Sequence, residues 1–394
     1  MVLFAVSSVV AAALVLLFAH RSGGRRFAAF GAVLLGFHLP SSIGMFAAMP
    51  RAWPLLAAAQ ASTMVYLASY ARPGLRPLPF RLFVSWPASW YVAGTFLAMP
   101  WAALTAVGLD PWAPWLPYVV AAAGLAQSVA SRRSVVAIQL DGTDVGPIGR
   151  APSGAEPDKR ETRPLRVVQI TDPHLGPFMS VRRLHEICQR AVDADPDLIL
   201  LTGDYLTVES NGDVEALTRA FAPLAAARGR VFAIRGNHDL EAPRTVANAM
   251  AAHGIRLLID EVEVVETDAG TVQILGVDFR WRGRAEHLAA LHRRHPPIEG
   301  ATRIVLLHDP SAFRHLPPGG ADLVLSGHTH GGQVGLFSLG GAWTPLKWAS
   351  IPDHGLWGRG TDRLYVHRGT GHYGFPLRVG VPAEESVLEL HRST

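Results

Sequence analysis

The chain has 394 residues, 49% of them hydrophobic and 17% charged, with a mean hydropathy of +0.20. These values exclude a disordered or fibrous protein and lie to the apolar side of an ordinary soluble enzyme. The net charge of +4 is unevenly divided: residues 1–131 hold seven arginines, no lysine and the single acid Asp110, a net +6, which leaves −2 for the remainder. That basic excess sits between apolar runs, and the remainder offers no basic track for a phosphate backbone, so a nucleic-acid partner is not expected. The one cysteine, Cys188, excludes an internal disulfide and falls in a helix-like run where a buried, inert thiol is expected.

Five apolar stretches, at about 2–19, 28–48, 54–71, 82–107 and 113–131, predict a transmembrane domain over residues 1–131, since a helix needs ~20 residues to cross a bilayer. Pro87 and Pro100 fall inside the fourth, which neighbouring helices can tolerate. Trp53, Trp112 and Trp115 stand near predicted span ends, where an interfacial belt would place them. Arg21, Arg25 and Arg26 follow the first apolar run instead of preceding it, the reverse of a cleaved signal peptide. Counted loop by loop, basic residues number three, one, three, none and two, the last pair being Arg132 and Arg133. The positive-inside rule then puts the N-terminus outside and everything after residue 131 in the cytoplasm. No acidic residue falls within a span, so no ion path is indicated.

Residues 132–164 read as a first strand at 134–140 followed by a flexible, Gly- and Pro-bearing linker loop over 141–163. Residues 165–394 read as an α/β domain. Strands are expected at LRVVQI, DLILL and RVFAI, then around 255–266, 271–277, 303–308 and 322–326, with helices near 180–193, 213–228 and 241–253. Apolar strands alternating with helices imply a parallel or mixed sheet covered by helices, whose reactive residues collect beyond the strands' carboxyl ends.

Five apolar strands do stop at such residues: Asp172-Pro173-His174, Gly203-Asp204, Gly236-Asn237-His238-Asp239, His308-Asp309-Pro310 and Gly327-His328-Thr329-His330. Oxygen and imidazole donors without a thiolate suit Mn, Fe or Zn. Two metals ~3.5–4 Å apart need a bridging ligand, and a carboxylate such as Asp204 can offer one oxygen to each. In this order, DPH, GD, GNHD, LLHDP and SGHTHGGQ resemble the calcineurin-like metallophosphoesterase superfamily, in particular its membrane-attached bacterial members of the inner membrane. The similarity spans roughly residues 133–394 and extends into the tail YVHRGTGHYGFPLRVGVPAEESVLEL.

The resemblance implies a four-layer α/β/β/α sandwich with a dinuclear metal centre. It places Asp172, His174, Asp204 and His330 on the first metal and Asp204, Asn237, His308 and His328 on the second, with Asp204 bridging. His238 would stay off the metals and serve the leaving oxygen as acid or electrostatic stabiliser, with a metal-bound hydroxide as nucleophile. It also places His354, His367 and His372 near the active-site rim, the last two where small or hydroxyl residues are usual. Arg235, Asp239 and Asp309 adjoin ligands, and the two acids could orient a histidine.

The expected function is hydrolysis of a phosphoester, phosphodiester or pyrophosphate bond in a small molecule or a lipid-linked substrate. Relatives that cleave UDP-diacylglucosamine make a substrate drawn from the bilayer attractive. The competing class is a non-catalytic membrane sensor or scaffold that uses the same domain to bind a ligand; the complete ligand set and intact GNHD weigh against it.

Overall fold

The computed structural model describes residues 1–141, 144–151, 163–341, 343–372 and 378–392, with the side chains of residues 23–27 and 30 excepted. The chain divides into two compact units, one built mainly on Met1–Ser128 and the other on most of the chain from Val129 onward.

The first unit contains α1 (Val2–Ala48), α2 (Trp53–Ser69), the single turn α3 (Leu78–Phe80), α4 (Trp86–Leu97), α5 (Met99–Ala106) and α6 (Leu116–Ser128). The 47 residues of α1 would be about 70 Å long if straight, yet the rings of Phe4 and Phe46 stack at 4.0 Å. Its two halves therefore fold back on one another, and Ala12 and Leu35 share one cluster with Met64 of α2. Each half, Val2–Ser22 and Gly31–Ala48, is long and apolar enough to cross a membrane. The expectation of five full-length spans is corrected at the other three stretches. Helix α2 has 17 residues and α6 has 13. The stretch 82–107 is broken into a π-helical turn at Arg81–Ser85, α4 and α5. Pro87 and Pro100 each sit in the first turn of their own helix, where the missing N–H is an orphan in any case.

This unit is apolar outside and polar inside. Leu3, Val10, Leu14 and Val33 are more than half exposed, whereas His38, Ser42, Gln60 and Thr95 are buried. The His38 ring binds Thr95 Oγ1 at 2.8 Å and Gln60 Oε1 at 2.9 Å, and Ser42 Oγ lies 2.7 Å from the Tyr91 hydroxyl. Trp53, Trp112 and Trp115 are exposed.

The second unit begins with β1 (Ser131–Gln139) and β2 (Gly149–Arg150); the central part of the expected linker, residues 152–162, lies outside the described residues. Then follow β3 (Leu165–Ile170), α7 (Val181–Asp193), β4 (Leu198–Leu201), α8 (Val214–Phe221), β5 (Val231–Ala233), α9 (Pro243–Ala252), β6 (Arg256–Leu257), β7 (Glu261–Thr267) and β8 (Gly270–Gly276). Helix α10 (Arg284–Arg294), β9 (Thr302–Leu306), β10 (Leu323–Ser326), β11 (Gly355–Arg359), β12 (Asp362–Val366) and β13 (Ala383–His391) complete the unit. The sheets run β1-β13-β3-β4-β5-β6 and β2-β11-β12-β10-β9-β8-β7.

Strand alternation explains the layering. Ile304 and Leu306 of β9 join Val167, Leu198 and Phe232 in the core between the sheets. Val305, between them, turns the other way and packs with Leu288 and Leu291 of α10. On the opposite side, Val167 faces the inter-sheet core while its neighbour Val168 lines an outer cavity with Ile187 and Ala191 of α7. The result is helix, sheet, sheet and helix, with parallel β3, β4 and β5 delivering their carboxyl ends to one edge.

Candidate metal centre

Every segment singled out in the sequence arrives at that edge through irregular backbone. Asp172 (φ 50°), His174 (48°), Asp204 (58°), His328 (66°) and His330 (50°) all lie in the left-handed region that residues with a Cβ seldom occupy. Strain of this kind persists only where the surroundings over-determine it, and it concentrates at functional sites. The close approaches require glycine at two points. A Cβ on Gly236 would collide with the Asp204 carboxylate, and one on Gly327 with the Asp172 carboxylate.

Six of the seven residues expected to hold metal form two groups, Asp172–His174–His330 and Asp204–His308–His328, whose ligand atoms within each group all lie within 4.8 Å of one another. In the first, His174 Nε2 stands 3.2 Å from His330 Nε2 and 3.8 Å from Asp172 Oδ1. His330 Nε2 is 3.4 Å from the same Asp172 oxygen. In the second, His308 Nε2 lies 3.2 Å from Asp204 Oδ2, and that oxygen is also 3.8 Å from His174 Nε2. Asp204 Oδ2 therefore faces both groups.

The donor set fits divalent cations. His308 Nδ1 is 2.7 Å from the carbonyl of Thr202 and His174 Nδ1 is 3.2 Å from that of Leu206, so each ring gives its Nδ1–H to the backbone and turns its Nε2 inward. The Nε2 atoms of His174 and His330 meet beside the Asp172 carboxylate, a donor set that a divalent cation would fit. Asn237, the seventh expected ligand, belongs to neither group, but its Oδ1 is buried without a hydrogen-bond partner, as an oxygen reserved for a cation would be.

Electrostatics agree with a site awaiting positive charge. Burial alone would raise Asp204, but His308 beside it, helped by His174 and His238, draws the carboxyl well below the usual range. Burial likewise opposes the charged form of His308, and Asp204 outweighs it, holding the imidazole up to about 10. His174 falls to about 3 and His328 to about 4, chiefly through burial. Asp172 is pushed up to about 6 by burial and by Asp204.

His238 stands outside both groups, edge-on to His174 at 5.4 Å, with its backbone N–H donating to Asp204 Oδ1 at 2.8 Å. Its Nδ1 faces Glu241 Oε1 at 3.7 Å. Burial opposes the imidazolium, yet Glu241 and Asp204 raise the group above its ordinary value. Glu241 carries no signal in sequence, because an acid three residues after a histidine is commonplace.

Asp239 does not orient a histidine. It is fully buried and accepts from the backbone N–H groups of Asp204 (2.7 Å), Tyr205 (2.9 Å) and Gly236 (2.8 Å), locking the two ligand turns together. Asp309 caps Ser311, pairs with Arg284 at 2.8 Å and interacts electrostatically with His328. Arg235 pairs with Asp278 at 2.6 Å. His354 packs against Phe337, His367 Nδ1 accepts from Gly369, and His372 lies over Phe178.

The profile of the calcineurin-like phosphoesterase family matches residues 165–332. That segment is a calcineurin-like phosphoesterase domain. The chain is a hydrolase of phosphoester bonds. It is 28% identical to "Phosphodiesterase YaeI" of Escherichia coli K12 over 239 residues, 59% of this chain and 84% of that one. It is 29% identical to "Uncharacterized metallophosphoesterase YkuE" of Bacillus subtilis, over 57% of this chain and 79% of the relative. A "Transmembrane protein with metallophosphoesterase domain" from Bos taurus is 26% identical over 57% of this chain and 53% of its own. All three matches cover a length close to that of the second unit.

Proposed function

We propose that the chain is a membrane-anchored phosphodiesterase with a dinuclear metal centre. The observation that carries this reading is the Asp204 carboxylate set between two ligand groups, in each of which one histidine, His174 or His308, already commits its other nitrogen to the backbone. Asp172, His174, Asp204 and His330 would hold one cation, and Asp204, Asn237, His308 and His328 the other. Cations held there would supply Lewis acidity toward the phosphoryl oxygens and would lower the pKa of water at the site. His238, whose hold on a proton Glu241 strengthens, would deliver that proton to the leaving oxygen, and the phosphodiesterase name of the Escherichia coli relative favours a diester.

Turnover of bis(4-nitrophenyl) phosphate and 4-nitrophenyl phosphate by the full chain in detergent, with Mn, Zn and Mg in turn, tests this. Metal-dependent cleavage that favours the diester is expected. His238→Ala should lower kcat by about 10²–10⁴-fold, and Asp204→Asn should abolish both metal retention and turnover. Two bound metal equivalents without cleavage of either ester would replace this reading with the sensor.

The anchor reading rests on the inside-out polarity of the first unit, with polar side chains buried and leucines and valines outside, and on its two long apolar segments. Provided that the three shorter apolar stretches also cross, the arginine distribution would put the catalytic domain in the cytoplasm, and a lipid-linked diester is the substrate best served by anchoring. Green fluorescent protein fused after residue 394 should fluoresce, and alkaline phosphatase at the same point should stay inactive. The opposite pattern would place the domain on the other side.

A further inference from the structure

We propose that residues 278–283 form a subsite for a planar aromatic group carried by the substrate, with Trp281 as its stacking surface. The inference rests on the phosphoester-hydrolase reading of the neighbouring site and concerns what is attached to the phosphate.

The segment leaves β8 directly beside the candidate ligands. The buried ring of Phe279 lies 6.0 Å from the ring of His308 and 6.2 Å from that of His328. Trp281 stands edge-to-face on Phe279, with centroids 4.8 Å apart at 82°. It is one aromatic ring removed from two metal-binding histidines, and it is 66% exposed.

A single arginine ties the backbone next to this indole to the ligand loop. Arg284 Nε donates to the carbonyl of Arg280 at 2.7 Å and Nη1 to Ser311 Oγ at 2.8 Å, while Nη2 pairs with Asp309 Oδ2 at 2.8 Å. Its guanidinium lies 5.7 Å from the Phe279 centroid. Asp309 directly follows His308, so the aromatic loop and the metal-ligand loop share one clamp. A tryptophan serving only to fill the core would not remain two-thirds in water. Set edge-on against Phe279 beside a phosphate site, it offers a π-face to a planar group.

The flanking charges complete the preference. Arg280 and Arg282 are exposed on either side of Trp281, and Arg280 is only loosely engaged with Asp260, at 3.4 Å. A flat indole bordered by guanidinium groups suits a planar group next to an anionic one, as in a nucleoside or aryl phosphoester, better than a bare alkyl chain.

Calorimetric titration of the full chain in detergent, in manganese buffer and without turnover, reads this directly. The probes are adenosine 5′-monophosphate, methyl phosphate and octyl phosphate. The nucleotide should bind the unmodified chain about tenfold more tightly than methyl phosphate. Trp281→Ala should erase that ratio, and Trp281→Phe should keep part of it. Equal affinities in the unmodified chain, or a ratio that survives Trp281→Ala, overturn the aromatic subsite while leaving the phosphate site standing. A Trp281-dependent gain for octyl phosphate and none for the nucleotide overturns it in favour of an acyl-chain site. Failure of all three ligands to bind removes the phosphate site and the subsite together.

Discussion

Asp239 shows how one side chain can govern a site without touching its contents. Its carboxylate gathers three N–H groups from the turns that carry Asp204 and Gly236, although burial and Asp204 push the group up to about 7. Asp239→Asn keeps the shape but sets an NH2 against an N–H, leaving a donor unsatisfied. A loss of about 2 kcal/mol is expected from denaturant unfolding, together with weaker metal retention in equilibrium dialysis; unchanged values for both would show that the three bonds are dispensable. The six residues that gather into the two groups are legible in sequence because each follows an apolar strand. The residues that shape them are not. Phe279 reads as ordinary core, the Asp239 role depends on folding two turns together, and the left-handed φ values belong to residue types that carry no such mark.

Among the elements, β3, β4, β5, β9 and β10 are foreseen because each is a compact apolar run. Strands β11 and β12 are not foreseen: GLWGR and DRLYV break the alternation with glycine and arginine, and their burial comes from Tyr365 and Leu356 entering the shared core. Strand β13 has a charged start that hides its role. Glu384 is buried, takes N–H groups from Arg368 Nε at 3.0 Å and Arg368 N at 3.1 Å, and accepts from the Tyr365 hydroxyl. Burial raises this carboxyl, but His367 and Arg368 outweigh it and hold it down to about 2. Its folded value lies below its unfolded one, so the stabilisation is complete above about pH 4.5 and disappears as pH falls toward 2. About 3 kcal/mol should be lost across that window in acid titrations of stability. Glu384→Gln should flatten that part of the profile, and an unaltered slope would exclude the carboxyl as its source. The apolar helices are legible in kind but not in length, since the sequence does not reveal where proline turns and chain reversal divide a hydrophobic run.

For the molecule as a whole, two carboxylates and four histidines converge where the sheets end, in the two groups that would hold cations. Metal binding to the folded state alone stabilises by mass action, about 2.7 kcal/mol at a hundredfold excess over Kd. A domain of this size should then melt roughly 5–10 °C higher with manganese than with chelator. Calorimetric scans with and without metal should show this rise in the unmodified chain and a much smaller one in His308→Ala. Identical melting with metal and chelator would mean that the site does not draw metal into the folded state.

The pairing of β1 with β13 over Ser131–Gln139 and Ala383–His391 also sets an order of events during synthesis. Strand β13 lies between β1 and β3, and β3 leads directly to Asp172. The apolar helices and β1 leave the ribosome first, but the sheet keeps a gap one strand wide until residue 391 has emerged. A product truncated before residue 383 has every expected metal ligand and all the apolar helices, yet it lacks the strand that joins the start of the domain to its catalytic edge. The sheet behind the ligand edge is thus continuous only once residues 383–391 have been translated.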